Sequence, residues 1–204
     1  MKLHKKLILF DLDGVLIDSK DNMKSSWNFV KEKYCLEINF EEYFNQIGKP
    51  FQDILFALGI EKNKKEIEID FQKKSKLQID NINFYYKVFE TIQYFKESDK
   101  YKIGIVTSKD FSRTKLIASK LPKFDIISCP DDNLMGKPEP DQILYAMSQV
   151  YCDNKETVYI GDMEVDKIAA EKAKIDFVYA EWGYGKMKST YSIKNISELR
   201  DIIN

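Results

Sequence analysis

The chain has 204 residues, of which 44% are hydrophobic and 13% aromatic. That length and composition exclude a disordered chain and fit one large domain, or a domain carrying a smaller insertion. Lys and Arg number 32 against 33 Asp and Glu, which excludes the basic excess of a nucleic-acid-binding surface.

At the N-terminus, MKLHKK is followed by the short apolar run LILF (7–10) before Asp11. A signal peptide or membrane helix needs a longer run, so the expectation is a cytoplasmic protein with no membrane partner. LILF itself has the length of a buried strand. His4, the sole histidine, lies among lysines and reads as a surface residue. From 17 to 84 the pattern is helix after helix, with no convincing strand. Met23, Trp27, Val30 and Tyr34 share one face and read as packing residues; PFQDILFAL (50–58) and a charged segment near 62–80 follow. The KNKK run at 62–65 precedes Glu66 and Glu68 and reads as a solvated helix start.

A helix carrying Tyr85, Val88, Phe89, Ile92 and Phe95 leads into YKIGIVT (101–107), then FDIIS (124–128), TVYIG (157–161) and DFVYA (176–180), all strand-like. Between them Ile143, Leu144, Met147, Val150 and Tyr151 share a helical face, as do Val165, Ile168 and Ala169. A last helix near 197–203 has Ser197 as its cap and Leu199, Ile202 and Ile203 as its buried face. Strand–helix alternation of this kind predicts an α/β fold: a three-layer, Rossmann-like parallel sheet. Its core comprises 1–16 and 85–204, and 17–84 forms an inserted helical cap with hinges near 16–20 and 84–87. Cys35, Cys129 and Cys152 are scattered without a C-x-x-C pair, which suits a reducing compartment rather than a disulfide framework or a zinc site.

Polar clusters stand at or just beyond the predicted strand ends, where open α/β sheets bind ligands. In FDLDGVLIDS (10–19), Asp11 and Asp13 are too close to share a buried site without a cation, and two oxygen ligands of this kind suit Mg²⁺. Gly14 permits the sharp turn that faces both acids one way. In VTSKD (106–110), Thr107 and Ser108 offer donors to an anionic oxygen. In GKPEPD (136–141), Lys137 can offset charge on a transferring phosphoryl group. In YIGDMEVDK (159–167), Asp162 and Asp166 fall on one helical face, four residues apart. Singly, each has an ordinary alternative: a capped turn, a helix cap, a solvent-facing lysine, a surface acid. Their joint occurrence in this order is what argues for a site.

DLDGVLIDS, IVTS, GKPEP and YIGDMEVD resemble, in order and context, the motifs of the haloacid dehalogenase-like hydrolase superfamily. The inserted helices resemble the cap of its phosphoglycolate phosphatase and β-phosphoglucomutase branch. The resemblance implies a Mg²⁺-dependent phosphatase acting on a small phosphorylated metabolite, phosphoglycolate or a sugar phosphate. Asp11 would be the nucleophile that becomes an aspartyl phosphate, and Asp13 the acid/base. Thr107 and Ser108 would hold phosphoryl oxygens, and Lys137 would offset their charge. Mg²⁺ would be held by Asp11, the Asp13 backbone carbonyl and Asp162, with Asp166 a ligand through water or an orienting partner. Dehalogenase and phosphonate-cleaving relatives lack an acid at the Asp13 position. IGKPFQDIL (47–55) resembles the family's substrate-specificity loop, making Lys49 a candidate for substrate contact, beside the plainer reading of an exposed turn lysine. EWGYG (181–185) resembles a loop beside the active site that packs on Lys137 or Asp162. The alternatives are a phosphosugar mutase, whose relatives carry histidine where this chain has Met23, and a catalytically silent module that binds a phosphorylated ligand.

Overall fold

Residues 2–131 and 133–203 are described by a computed structural model. The first strand, β1 (Leu7–Phe10), is buried along its whole length, as expected of a continuous apolar run between helical layers. It runs into a tight turn, then β2 (Ile17–Asp18) and the helices α1 (Lys20–Lys33), α2 (Phe40–Phe44), α3 (Phe51–Ala57) and α4 (Lys64–Leu77). The chain returns through β3 (Asn83–Phe84), α5 (Val88–Lys96), β4 (Lys102–Val106), α6 (Phe111–Ala118) and β5 (Ile126–Ser128). It finishes with α7 (Asp141–Gln149), β6 (Thr157–Gly161), α8 (Glu164–Ala173), β7 (Asp176–Ala180), β8 (Ser192–Ile193) and α9 (Leu199–Ile202).

The main sheet has the order β5-β4-β1-β6-β7-β8 and is parallel throughout. From β1 the chain next pairs on one side with β4, and later on the other with β6. The strand order therefore reverses at β1, and a crevice opens at the carboxyl ends of these strands. Alternation along β1 divides the core. Ile8 and Phe10 join Ile92, Phe95 and Ile117 on one face, while Leu7 and Leu9 join Ile143, Ala146 and Ala169 on the other.

The inserted helices have a core of their own, built on Met23, Trp27, Val30, Tyr43, Ile54, Ile67 and Phe71. Trp27 stacks on Tyr43 with ring centroids 4.4 Å apart and donates its indole N–H to the Ile38 carbonyl at 3.2 Å. The neck is the antiparallel pair β2–β3, with Ile17 opposite Phe84.

Several local expectations are corrected. The segment 17–84 does contain strand, at both its ends, because a two-residue pair is too short to show a period. The sheet also gains β8, for the same reason. Phe89, Leu144 and Tyr151 face solvent rather than the core, Tyr151 at 95% exposure. A 3₁₀ turn at Ile196–Glu198 precedes α9, and its cap is Asn195, whose side chain accepts from the Ser197 N–H at 3.2 Å; Ser197 is not the cap. His4 is exposed.

Trp27→Ala removes the largest fully buried side chain and its stacking partner's support. It is expected to cost about 3–5 kcal/mol, measured by urea unfolding monitored by far-UV circular dichroism.

Candidate active site

Asp11 follows β1 directly and its N–H donates to the Ile160 carbonyl at 2.9 Å, so the sheet ladder itself fixes where the carboxylate emerges. Thr107 follows β4 and is tied in the same way, by its N–H to the Ser128 carbonyl at 3.1 Å. Gln142, at the start of α7, donates to the Thr107 carbonyl at 3.1 Å. Asp162 follows β6. Three consecutive strands of the sheet thus deliver these residues to one edge.

The turn after β1 places Gly14 against Asp162. Gly14 has φ +85°, and a Cβ there would overlap the Asp162 carboxylate. Gly183, in the loop after β7, abuts the same side chain. The next residue, Tyr184, donates its backbone N–H to Asp162 Oδ2 at 2.7 Å. Asp162 is therefore walled by two glycines and held by one amide, and its Oδ1 accepts no hydrogen bond from the described residues. Of the two packing targets anticipated for the EWGYG loop, Asp162 is the one it touches.

Lys137, 1% exposed, sits between carboxylates: its Nζ is 3.1 Å from Asp11 Oδ1 and 2.7 Å from Asp166 Oδ1. It also donates to the Tyr159 hydroxyl at 3.2 Å, and that hydroxyl donates to the Val106 carbonyl at 2.8 Å. Asp166 spends its other oxygen on the first turn of α8, accepting from the N–H groups of Asp162 at 3.2 Å and Met163 at 2.9 Å. Such bonds fix the start of the helix and favour a negative charge there.

The cluster holds more negative than positive charge in a buried place. One oxygen each of Asp11, Asp162 and Asp166 lies within 4.8 Å of the others. Burial pushes the Asp11 carboxyl up to about 7, against the pull of Lys137 and with help from Asp166 and Asp13. Burial likewise drives Asp162 well above the usual carboxylate range, and Asp166 and Asp11 add to it. Burial pulls the Lys137 amine down, but Asp11 and Asp166 outweigh it and raise the amine above the ordinary lysine value. Hard oxygen donors, an orphaned carboxylate oxygen on Asp162 and an excess of negative charge fit a divalent cation. Asp11 and Asp162 have oxygen to offer it, whereas both Asp166 oxygens already accept hydrogen bonds.

Asp13 is held apart from this cluster. Ser19 Oγ donates to its Oδ1, and Lys109 Nζ lies 3.0 Å from the same oxygen. Ser19 in turn donates its N–H to the Tyr184 hydroxyl at 2.7 Å. Neither Lys109 nor Ser19 carries a role in the sequence reading, although both stand inside quoted motifs; their spacing gives no sign that they meet Asp13. Tyr159 looks like an ordinary strand residue in sequence, and only its hydroxyl contacts reveal more.

Ser108 and Lys49 sit where the cap meets the sheet edge. Ser108 Oγ donates to the Gly48 carbonyl at 2.7 Å, bridging core and cap. Lys49 Nζ donates to Gln46 Oε1 at 2.9 Å. Both line one cavity of about 420 Å³ together with Asp11, Asp13, Thr107 and Lys137. That volume suits a small metabolite.

The sign of pH dependence follows from Asp11 and Asp162. Both bind protons in the folded chain at pH values where the unfolded chain has lost them, so metal-free stability falls as pH rises from about 4 through 7. The carboxylates lowered by ion pairs, Asp70, Asp110 and Asp125, act below their usual value and leave that window alone. With EDTA the melting temperature is expected to be higher at pH 5.5 than at pH 8. Added Mg²⁺ should raise it more at pH 8, and Asp162→Asn should remove that increment. Thermal unfolding by differential scanning fluorimetry checks each point.

A family model described as haloacid dehalogenase-like hydrolase matches residues 8–180. The pyrophosphatase PpaX of Bacillus velezensis is 29% identical over 180 residues, covering 86% of this chain and 82% of that protein. The phosphoglycolate phosphatase of Aquifex aeolicus is 28% identical, covering 97% and 95%. Among solved structures, a hydrolase from Pseudomonas syringae superposes with a TM-score of 0.86 at 22% identity, covering 97% of each chain. The family model spans most of the chain, and the chain belongs to the haloacid dehalogenase-like hydrolase family.

Proposed function

We propose that this protein is a Mg²⁺-dependent phosphatase that hydrolyses a small phosphomonoester through an aspartyl phosphate on Asp11. The observation that carries the reading is the Asp11 carboxylate at the β1 edge, charge-paired with buried Lys137 and opening into the cavity shared with Asp13, Thr107 and Ser108. The relatives named for pyrophosphate and phosphoglycolate hydrolysis support phosphoryl chemistry.

In this reading an Asp11 oxygen bonds to phosphorus as the bond to the leaving oxygen breaks. Asp13 gives its proton to the departing alkoxide. Asp13 then takes a proton from water, whose oxygen attacks phosphorus, freeing phosphate and restoring the Asp11 carboxylate. The Thr107 and Ser108 hydroxyls and Lys137 bind the phosphoryl oxygens. Asp11, the Asp13 carbonyl and Asp162 would hold Mg²⁺, which neutralises phosphoryl charge when bound; Asp166 orients Lys137 and the start of α8. Ser19 and Lys109 keep Asp13 aimed into the cavity.

A mutase needs an acid/base group on the first cap helix. Met23 stands there, buried in the cap core and bordering the cavity, and offers none. A silent binding module usually loses a motif acid, whereas Asp11, Asp13, Lys137 and Asp162 are all present here. Both features favour hydrolysis over the two alternatives.

Phosphate release over a panel of monoesters, with Mg²⁺ or with EDTA, tests the proposal. Turnover is expected only with Mg²⁺, and Asp11→Asn should lower it by at least about a thousandfold while the circular dichroism spectrum is kept. Unchanged turnover in that variant rules out the assigned nucleophile. Lys49→Ala should reduce kcat/KM for the preferred substrate by about tenfold, and more than for p-nitrophenyl phosphate, measured by steady-state kinetics.

A further inference from the structure

The cavity continues from the sheet edge into the cap, and the charges along it are mostly committed. Lys137 is paired with Asp11, Lys109 with Asp13, and Arg113 with Asp110. Among the described lining residues of the cap, that leaves Lys49 and Glu68 without an ion-pair partner. Glu68 lies on α4 and faces the cavity between two amides. Gln52 Nε2 donates to its Oε2, and Gln72 Nε2 donates to its Oε1 at 3.0 Å. Each oxygen of a carboxylate can accept a second hydrogen bond, so Glu68 keeps acceptor capacity toward whatever enters. Beside it the lining is aromatic: Phe51 and Phe71, the latter on the same helix, have centroids 4.7 Å apart, and Tyr43 lies 5.6 Å from Phe71.

This end of the cavity receives the part of the substrate that leaves with the alkoxide. A second phosphate or a carboxylate there would meet Lys49, the Arg113 guanidinium that lies over the Phe71 ring and is already paired with Asp110, the repelling Glu68 carboxylate, and rings that offer an anion little solvation. A hydroxylated carbon skeleton meets each feature favourably. Its hydroxyls donate to Glu68, the Gln52 and Gln72 carbonyls and the Lys49 amine bracket its other polar atoms, and its C–H faces lie on the rings.

We propose that Glu68, held between Gln52 and Gln72, is a specificity-determining residue that selects an uncharged polyhydroxyl leaving group, making the substrate a sugar or polyol monophosphate. The assignment rests on the phosphatase reading above and narrows it. It also separates this chain from its relatives named for pyrophosphate and phosphoglycolate.

The test uses the full chain with Mg²⁺ and measures phosphate release from glucose 6-phosphate, fructose 1-phosphate, glycerol 3-phosphate, phosphoserine, phosphoglycolate, pyrophosphate and p-nitrophenyl phosphate. The best sugar or polyol ester is expected to exceed phosphoglycolate, phosphoserine and pyrophosphate at least about tenfold in kcat/KM. Glu68→Gln, which keeps shape and removes charge, should lower the ratio of polyol ester to pyrophosphate by about tenfold or more, mainly through KM. Gln72→Ala, which frees Glu68 from one of its supports, should shift the ratio in the same direction. A purely structural role for Glu68 would lower all substrates together and overturns the proposal, as does a wild-type preference for pyrophosphate, phosphoglycolate or phosphoserine. Absence of release from every ester, p-nitrophenyl phosphate included, removes the phosphatase reading itself and this inference with it. Release from p-nitrophenyl phosphate alongside a preference for an anionic or ammonium-bearing substrate removes only the role given to Glu68.

Discussion

The arrangement of the whole site depends on one buried ammonium standing among carboxylates. Lys137 lies within 3.1 Å of Asp11 and 2.7 Å of Asp166, with Asp162 close by and less compensated. Burying charge is expensive unless it is paired, and here the pairing is incomplete. The deficit appears as carboxyl groups that hold their protons more tightly than usual, Asp11 up to about 7 and Asp162 well above the ordinary carboxylate range. Such a cluster costs stability and persists because strands, glycines and a helix start hold it from all sides. It is also the arrangement in which a bound cation and a transferring phosphoryl group would each relieve a defined imbalance.

The parallel sheet makes that convergence possible. β1, β4 and β6 are neighbours in register, so the residues that follow them emerge side by side although Asp11 and Asp162 are far apart in sequence. The glycines serve the same end by admitting close approach, Gly14 and Gly183 both lying against Asp162. The cap contributes differently. It has its own aromatic core, is joined through the short β2–β3 neck, and meets the sheet edge both through polar contacts such as Ser108 to Gly48 and Arg113 to Ser75 and through Met163 and Tyr184, which pack against the cap core.

Much of this was legible from local signals. Buried parallel strands are continuous apolar runs, and each long one was recognisable from its residues. The helical insertion showed its own period in Met23, Trp27 and Val30. Where local signal failed, the elements were short or the face was shared. The pairs β2–β3 and β7–β8 involve strands of two residues, too few for a period, and exist because a neighbouring strand supplies their hydrogen bonds. Leu144 obeys helical spacing yet faces outward, since spacing defines a stripe and the packing partner decides how wide the buried part of it is, whereas Tyr151 lies beyond the end of α7 with φ +55° and so leaves the stripe altogether.

By itself the sequence determined the order of the longer strands, the presence of an inserted helical unit, and the residue types gathered at strand ends. These follow from patterns that operate over a few neighbouring positions. Only the tertiary structure decided which groups meet: that Lys109 and Ser19 hold Asp13, that both Asp166 oxygens are already engaged while one on Asp162 is free, and that Glu68 shares a cavity with Asp11. Such meetings depend on sheet register and on how the cap seats over the edge. Both are settled by packing across the whole molecule, which no short stretch of chain encodes.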